Sequence, residues 1–353
     1  MTEIQNDYFL QRNQKTNLKI REILSTLPYF CHEFFRGIEN QTTSLTRLNY
    51  AQDLKIFFNF LVTEILEFND YEIKELKIET LNALTSTHLE MFLNYLSGYY
   101  IEDNFFKNNE KGKARKLSAV KSLLKYFYKK DKLKANVSTK IESPKIHEKE
   151  IVRLEVDEVV KLLNQAENPK NFSKRQNSYN SITKTRDTAM LTLLLGTGIR
   201  VSECVGLNID DFDFNVNGFR VTRKGGNQTI LYFSDEVAKS LKLYIQQRNN
   251  NPLIPIDEKA LFLSIQNKRI GVRAVEKIVK KYSQACIPLK KITPHKLRST
   301  FGTNLYRQTN DIYIVADVLG HKDVNTTRKH YAAISDDARR NVAKVVKLRD
   351  EES

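Results

Sequence analysis

Thr293-Pro294-His295-Lys296-Leu297-Arg298, followed by Leu319-Gly320-His321 and then by Tyr331, ten residues past that histidine, is the stretch from which the chain is read outward. Thr293 suits a helix N-cap and Pro294 the first helical position, so the spacing predicts His295 and Arg298 on one face of a first turn. The free N–H groups and positive dipole end of such a turn favour an anion; the same turn can also do no more than cap a helix. Leu319-Gly320 predicts a helix stopped at glycine with the His321 imidazole just beyond it. Asn325-Thr326-Thr327 predicts the cap of the next helix, which carries Tyr331. The chain has 16 tyrosines, so a core role is the default for any one of them, and only its company singles Tyr331 out. Two imidazoles, a guanidinium and a phenol in one place can grip a phosphodiester while a tyrosine oxygen attacks it.

Upstream, Asp187 to Leu195 predicts a buried helix ended by Gly196-Thr197-Gly198. Arg200 follows directly, beside Ser202, an expected cap for the short helix that carries Glu203 and Cys204. Arg200 therefore emerges at a helix start, where Glu203 can orient it, although an ordinary surface arginine fits the same pattern. Phe219-Arg220-Val221-Thr222 and Thr229-Ile230-Leu231-Tyr232 flank Lys224-Gly225-Gly226-Asn227 and predict a hairpin with a glycine turn. Lys224 sits at its tip, able to carry an ammonium group into a groove or simply to keep a turn soluble. Arg223 is its neighbour and rival.

The whole chain holds 57 Lys plus Arg against 42 Asp plus Glu, net +15, which favours a polyanionic partner such as nucleic acid. The charge is unevenly spread: residues 1 to 104 carry 9 basic and 15 acidic side chains, residues 105 to 149 carry 14 and 4, and the remainder 34 and 23. The positive field begins near Phe105. Cys31, Cys204 and Cys286 lie far apart with no C-x-x-C pair, against both a disulfide framework and a zinc site. No apolar run is long enough to span a bilayer, and Met1 to Asn17 lacks the pattern of a signal peptide, so no membrane insertion and a cytoplasmic location are expected.

At 353 residues two domains are the better expectation. Residues 1–133 are expected to form a helical domain. Leu48, Ala51, Leu54, Phe57, Phe58 and Leu61 recur at helical spacing behind the Thr42-Thr43-Ser44 cap, and Leu89, Phe92, Leu93 and Leu96 mark a helix from about Thr87 to Tyr99. A third, about Lys113 to Lys130, turns Leu117, Val120, Leu124 and Phe127 inward. Lys121, Lys125 and Lys129 recur on another side at a spacing that repels unless a partner neutralises it. Lys113, Arg115, Lys121, Lys125 and Lys129 are thus candidate DNA-phosphate contacts, or a solvated face. Residues 134–154 are expected to be a mobile linker and 155–353 a second domain, with a polar loop over Glu167 to Lys184. Ala338, Val342, Val345 and Val346 form an apolar stripe on a tail helix at about 335–348.

Gly198-Ile199-Arg200-Val201-Ser202-Glu203, the Lys224 hairpin, His295-Lys296-Leu297-Arg298, Leu319-Gly320-His321 and Tyr331 together resemble the catalytic signature of the tyrosine recombinase (phage integrase) family, in the family's order over about 155 to 335. Val221-Thr222-Arg223-Lys224-Gly225-Gly226, with Ala274-Val275-Glu276-Lys277 and the HKLR turn, is most similar to Xer-type single recombinases of Gram-positive bacteria. The likeness departs at two points. Many Xer members place the nucleophile nine residues after the LGH histidine, whereas Tyr331 lies ten after His321, as in various mobile-element integrases; and Ser299 replaces a histidine that often follows the motif arginine.

The resemblance implies a mainly α fold with a small antiparallel β-sheet, in two domains: a helical core-binding domain and an α+β catalytic domain, closing around duplex DNA. It implies Tyr331 as nucleophile, Arg200 and Arg298 as clamps on the phosphate, Lys224 as general acid, His295 as base, His321 as hydrogen-bond donor and Glu203 as support. It also implies a recombination site in double-stranded DNA as partner and a homotetramer on two such sites. The tail helix would then dock on a neighbouring protomer, with packing onto its own chain as the alternative, and a septal DNA translocase could be a further partner. No cofactor or metal is expected, since the arginines bring the charge a Mg²⁺ would otherwise supply. The expected work is Xer-like chromosome dimer resolution, with movement of a mobile element as the alternative. A topoisomerase of the same chemistry and a DNA-binding regulator that cuts nothing are the rivals.

Overall fold

The computed structural model describes residues 7–146, 152–170, 172–223, 226–321 and 323–324. The chain divides into two compact units, residues 1–149 and 150–353. Each has its own apolar core, and both are mainly helical with small antiparallel sheets.

In the first unit the helices are α1 (Asp7–Leu24), α2 (Phe30–Gly37), α3 (Ser44–Glu64), α4 (Ser86–Tyr95) and α5 (Glu110–Tyr128), with a hairpin of β1 (Tyr99–Ile101) and β2 (Asn104–Phe106) between the last two. Thr43 caps α3 by accepting from the Thr46 N–H, as its sequence predicts. Ala51, Leu54, Phe57, Phe58 and Leu61 are all buried, where they meet Phe92 of α4 and Leu117, Val120, Leu124 and Phe127 of α5. The helix expected to reach Tyr99 stops at Tyr95 instead. Tyr99, Tyr100 and Ile101 pair with Phe106, Phe105 and Asn104, so this unit is not helical throughout.

The linker is shorter than expected. Leu133 and Ile141 are buried in the first unit, the Lys134 N–H donates to Asn82, and the Lys121 ammonium donates to the Ile141 carbonyl at 2.6 Å. The segment just past α5 is therefore packed structure. Downstream, buried Leu154 already belongs to the second unit, its N–H donating to the Thr300 hydroxyl at 2.9 Å.

The second unit contains α6 (Val156–Glu167), α7 (Lys174–Thr197), α8 (Val201–Cys204), the three-stranded sheet β3 (Phe212–Asp213), β4 (Gly218–Thr222) and β5 (Gln228–Tyr232), then α9 (Asp235–Asn249), α10 (Val272–Cys286), α11 (Pro294–Thr309) and α12 (Ile312–Leu319). The expected hairpin is β4–β5, with Phe219 opposite Leu231 and Thr222 opposite Gln228. The polar loop expected over Glu167 to Lys184 is largely helix. Ser173 accepts from the Gln176 N–H and Gln176 accepts from the Ser173 N–H, a reciprocal cap that starts α7 well before its apolar run. Asn180, Thr183 and Asp187 are buried on that early part of α7. Asp187 accepts from Arg186, Lys281 and Tyr282, and Tyr282 also bonds Asn180, so polar partners, and not apolar periodicity, hold this stretch helical. No helix among the described residues is long and apolar enough to cross a membrane.

Candidate active site

Four sequence-distant segments meet at the C-terminal end of α12. The helix closes on Gly320, held at φ 60°, with the His321 N–H donating to Ala316 and the Gly320 N–H to Asp317. That pattern leaves the next three carbonyls without a helical partner, at the negative end of the helix dipole. Each is taken by a guanidinium. Arg223 donates to Val318 at 2.8 Å, Arg298 to Leu319, and Arg200 to Gly320 at 3.2 Å. Since the acceptors are consecutive residues, the three cations are gathered into one small volume beside His321.

Each arginine is fixed from its other side by its own segment. Arg298 lies in the first turn of α11, 4% exposed, and also donates to the Gly198 carbonyl at 2.7 Å. Arg200 stands at the start of α8 and is held by buried Glu203, which accepts from the Arg200 guanidinium and from its backbone N–H, both at 2.8 Å. This corrects the expectation that Ser202 caps α8: Arg200 is the N-cap residue, and Glu203 closes the turn. A buried bidentate carboxylate orients Arg200 better than a hydroxyl would. Thr293 occupies the N-cap position of α11 and Pro294 its first turn, as expected, although the Thr293 hydroxyl makes no capping bond. His295 is exposed in that turn, three residues before Arg298 on the same face.

Gly198 ends α7 at φ 62°, and a Cβ there would collide with the Phe301 ring and approach Leu319. The glycine is what lets α7, α11 and α12 come close enough to share Arg298. Gly198→Ala is expected to cost roughly 2–5 kcal/mol, combining a left-handed backbone with overpacking, and to be read as a lowered denaturant midpoint at unchanged slope.

Arg223 went unassigned in the sequence apart from its rivalry with Lys224, and its location is the principal addition. It terminates β4, and its guanidinium lies against Gly320, where a Cβ would fall on its Nη1 atom. Burial pushes its pKa below the usual arginine value, opposed by the Glu203 charge and aided by Arg200. Cys204, the thiol beside Glu203, is driven the other way: burial raises it to about 12, which removes it as a nucleophile.

The structure thus brings Arg200, Glu203, Arg298 and His321 together, with His295 on the face of Arg298. Lys224, Tyr331 and the expected tail helix at 335–348 lie outside the described residues. The other candidates are on α5 of the first unit. Arg115 pairs with buried Asp53, Lys113 with Glu110 at 3.4 Å, and Lys121 with the Ile141 carbonyl, so three of the five are engaged within the unit. Lys125 and Lys129 are exposed at the helix's end and available to a polyanion.

Comparison with known proteins agrees with this geometry. The model of the phage integrase family matches residues 152–338. The chain is 33% identical over 288 residues to tyrosine recombinase XerC of Caldanaerobacter subterraneus, covering 79% of this chain and 75% of that one. It is 31% identical over 350 residues to tyrosine recombinase XerS of Streptococcus thermophilus, covering 90% and 96%. Its fold is similar to that of XerH site-specific recombinase bound to a palindromic difH substrate in a post-cleavage complex, with a TM-score of 0.62, 18% identity and coverage of 86% and 80%. The chain belongs to the phage integrase family: it is a tyrosine recombinase, an enzyme of site-specific DNA recombination that cleaves and rejoins DNA through a tyrosine.

Proposed function

We propose that Tyr331 is the nucleophile, that Arg200, Arg298, His295, His321 and Lys224 complete the site, and that the enzyme resolves chromosome dimers in the cytoplasm as a homotetramer on two sites. The observation that carries this reading is the convergence of Arg200 and Arg298 on adjacent carbonyls next to His321. Two guanidiniums so fixed suit the non-bridging oxygens of one phosphate, whose charge grows as a fifth oxygen approaches.

In the forward step the Tyr331 oxygen bonds to phosphorus and its proton passes to His295. The bond from phosphorus to the 5′-oxygen breaks, and Lys224 gives that oxygen a proton. The products are a 3′-phosphotyrosine and a free 5′-hydroxyl. Because one phosphodiester replaces another, the reverse attack by a 5′-hydroxyl rejoins DNA without ATP. Lys125 and Lys129 contact backbone phosphates, which places affinity, and not sequence choice, on α5.

The likeness to XerS over nearly its whole length supports dimer resolution and, as a further partner, a septal DNA translocase. The ten residues from His321 to Tyr331 favour a second reading, movement of a mobile element, and recombination between two chromosomal sites or between element ends distinguishes the two. The central test uses DNA nicked near the scissile phosphate, so that the 5′-product diffuses away. A covalent adduct on the peptide containing residue 331 is the expected result. DNA binding with no adduct would leave a non-cleaving regulator, and relaxation of supercoiled DNA lacking any site would leave a topoisomerase.

A further inference from the structure

The residue preceding Lys224 is tied down from three directions. Its backbone N–H donates to the Asn227 carbonyl at 2.7 Å, its carbonyl accepts from the Gly226 N–H at 3.1 Å, and its guanidinium donates to the Val318 carbonyl at 2.8 Å. The first two bonds close the base of the β4–β5 turn. The third fastens that base to the last turn of α12, the turn that ends in Gly320 and presents His321. Gly320 has no side chain because Arg223 occupies the space one would need.

We propose that Arg223 is a positioning residue: it fastens the turn bearing Lys224 to the turn bearing His321, so that the ammonium group meets the departing 5′-oxygen. This rests on the assignment of Lys224 as general acid. The Nη2 atom of Arg223 is taken by the Val318 carbonyl, while Nη1, buried against Gly320, has no hydrogen-bond partner among the described residues; a phosphate contact from Nη1 would make Arg223→Ala slow on ordinary and sulfur-substituted duplexes alike, as Arg298→Ala is expected to be. Fixing the residue next to Lys224 leaves the ammonium group fewer unproductive orientations than an unanchored turn would.

The prediction is specific to one bond. In cleavage the bond from phosphorus to the 5′-oxygen breaks, and the leaving alkoxide needs a proton. If sulfur replaces that bridging oxygen, the leaving thiolate is stable unprotonated and the acid becomes dispensable.

The experiment measures single-turnover adduct formation by the full chain on two nicked site duplexes, one ordinary and one with a 5′-bridging phosphorothiolate. On ordinary DNA, Lys224→Ala and Arg223→Ala are each expected to slow cleavage by about 10²–10⁴, the range for a lost or displaced general acid. On the sulfur duplex both are expected to approach the wild-type rate, while Arg298→Ala stays slow. Arg223→Lys keeps the charge but not the fork, and is expected to fall between; where Arg223→Ala loses its fold, this variant carries the same comparison. Arg223→Ala equally slow on both duplexes, or as fast as wild type on ordinary DNA, overturns the proposal. Failure of the sulfur to rescue Lys224→Ala removes Lys224 as the acid and the proposal with it, a result separate from failure at Arg223 alone.

Discussion

Replacing Tyr331 by phenylalanine is expected to abolish the covalent adduct on nicked DNA while leaving binding to the site unchanged. The substitution removes one oxygen and keeps the ring, so packing and charge are preserved and only the nucleophile is lost. Removing a residue of that kind acts on a scale of about 10⁴–10⁶ in rate. Among the described residues, the tyrosines of α11 and α12 are not placed to substitute for it. Tyr313 is 70% exposed in the first turn of α12, whereas the guanidiniums gather at the last turn, roughly 9 Å along the helix at 1.5 Å per residue. Tyr306 is packed among Phe301, Leu305 and Ile312 against Val315 and Leu319. Tyr313→Phe is therefore the control, expected to form adduct normally. Adduct persisting in the Tyr331 variant, mapped to another residue, would relocate the nucleophile.

Most of this site can be read before any coordinates, because its residues must sit at particular places on helix ends. A glycine at 198 and another at 320 announce left-handed caps, and Pro294 announces a first turn; each puts a polar group at a helix terminus, where backbone donors or acceptors are free. Apolar period was a reliable guide wherever a helix lies on a core, as along α3 and α5.

It failed where polar contacts do the holding. The first turns of α7 are rich in Asn and Ser and lack an apolar stripe, yet the Ser173 and Gln176 cap starts them, and Tyr282, from another helix, bonds Asn180 and Asp187. Nothing within a local window shows that partner. The β1–β2 hairpin escaped because its strands are three residues each and mostly exposed, leaving neither period to be seen. Arg223 is the case of most consequence. A basic residue beside Lys224 looks like more of the same positive charge, and only the α12 carbonyl it meets gives it a separate task. In α5 a partner likewise escaped the sequence: Arg115, a candidate phosphate contact, is paired with buried Asp53, although its side chain stays 46% exposed.

The same principle sets the expected behaviour of Arg298, whose loss should affect folding and catalysis together. Arg298→Ala leaves the carbonyls of Gly198 and Leu319 without their donor in a buried site, at about 1–3 kcal/mol each. That is a large part of a typical domain's stability, and the melting midpoint is expected to fall accordingly. Cleavage should slow by a further factor of about 10²–10³, the usual cost of removing one donor aimed at developing charge. Arg298→Lys cannot reach two carbonyls with one ammonium, so it should recover little of either. Arg200 separates the two effects. Its side chain is 34% exposed and donates to only one backbone carbonyl, Gly320. Arg200→Ala should therefore slow cleavage on the same scale while disturbing the melt less, although it also leaves Glu203 buried without its cation. Thermal melts and single-turnover cleavage on the two variants give the comparison. A larger loss of stability at Arg298 with little loss of rate would mean that the carbonyls of Gly198 and Leu319, and not the scissile phosphate, are what Arg298 serves.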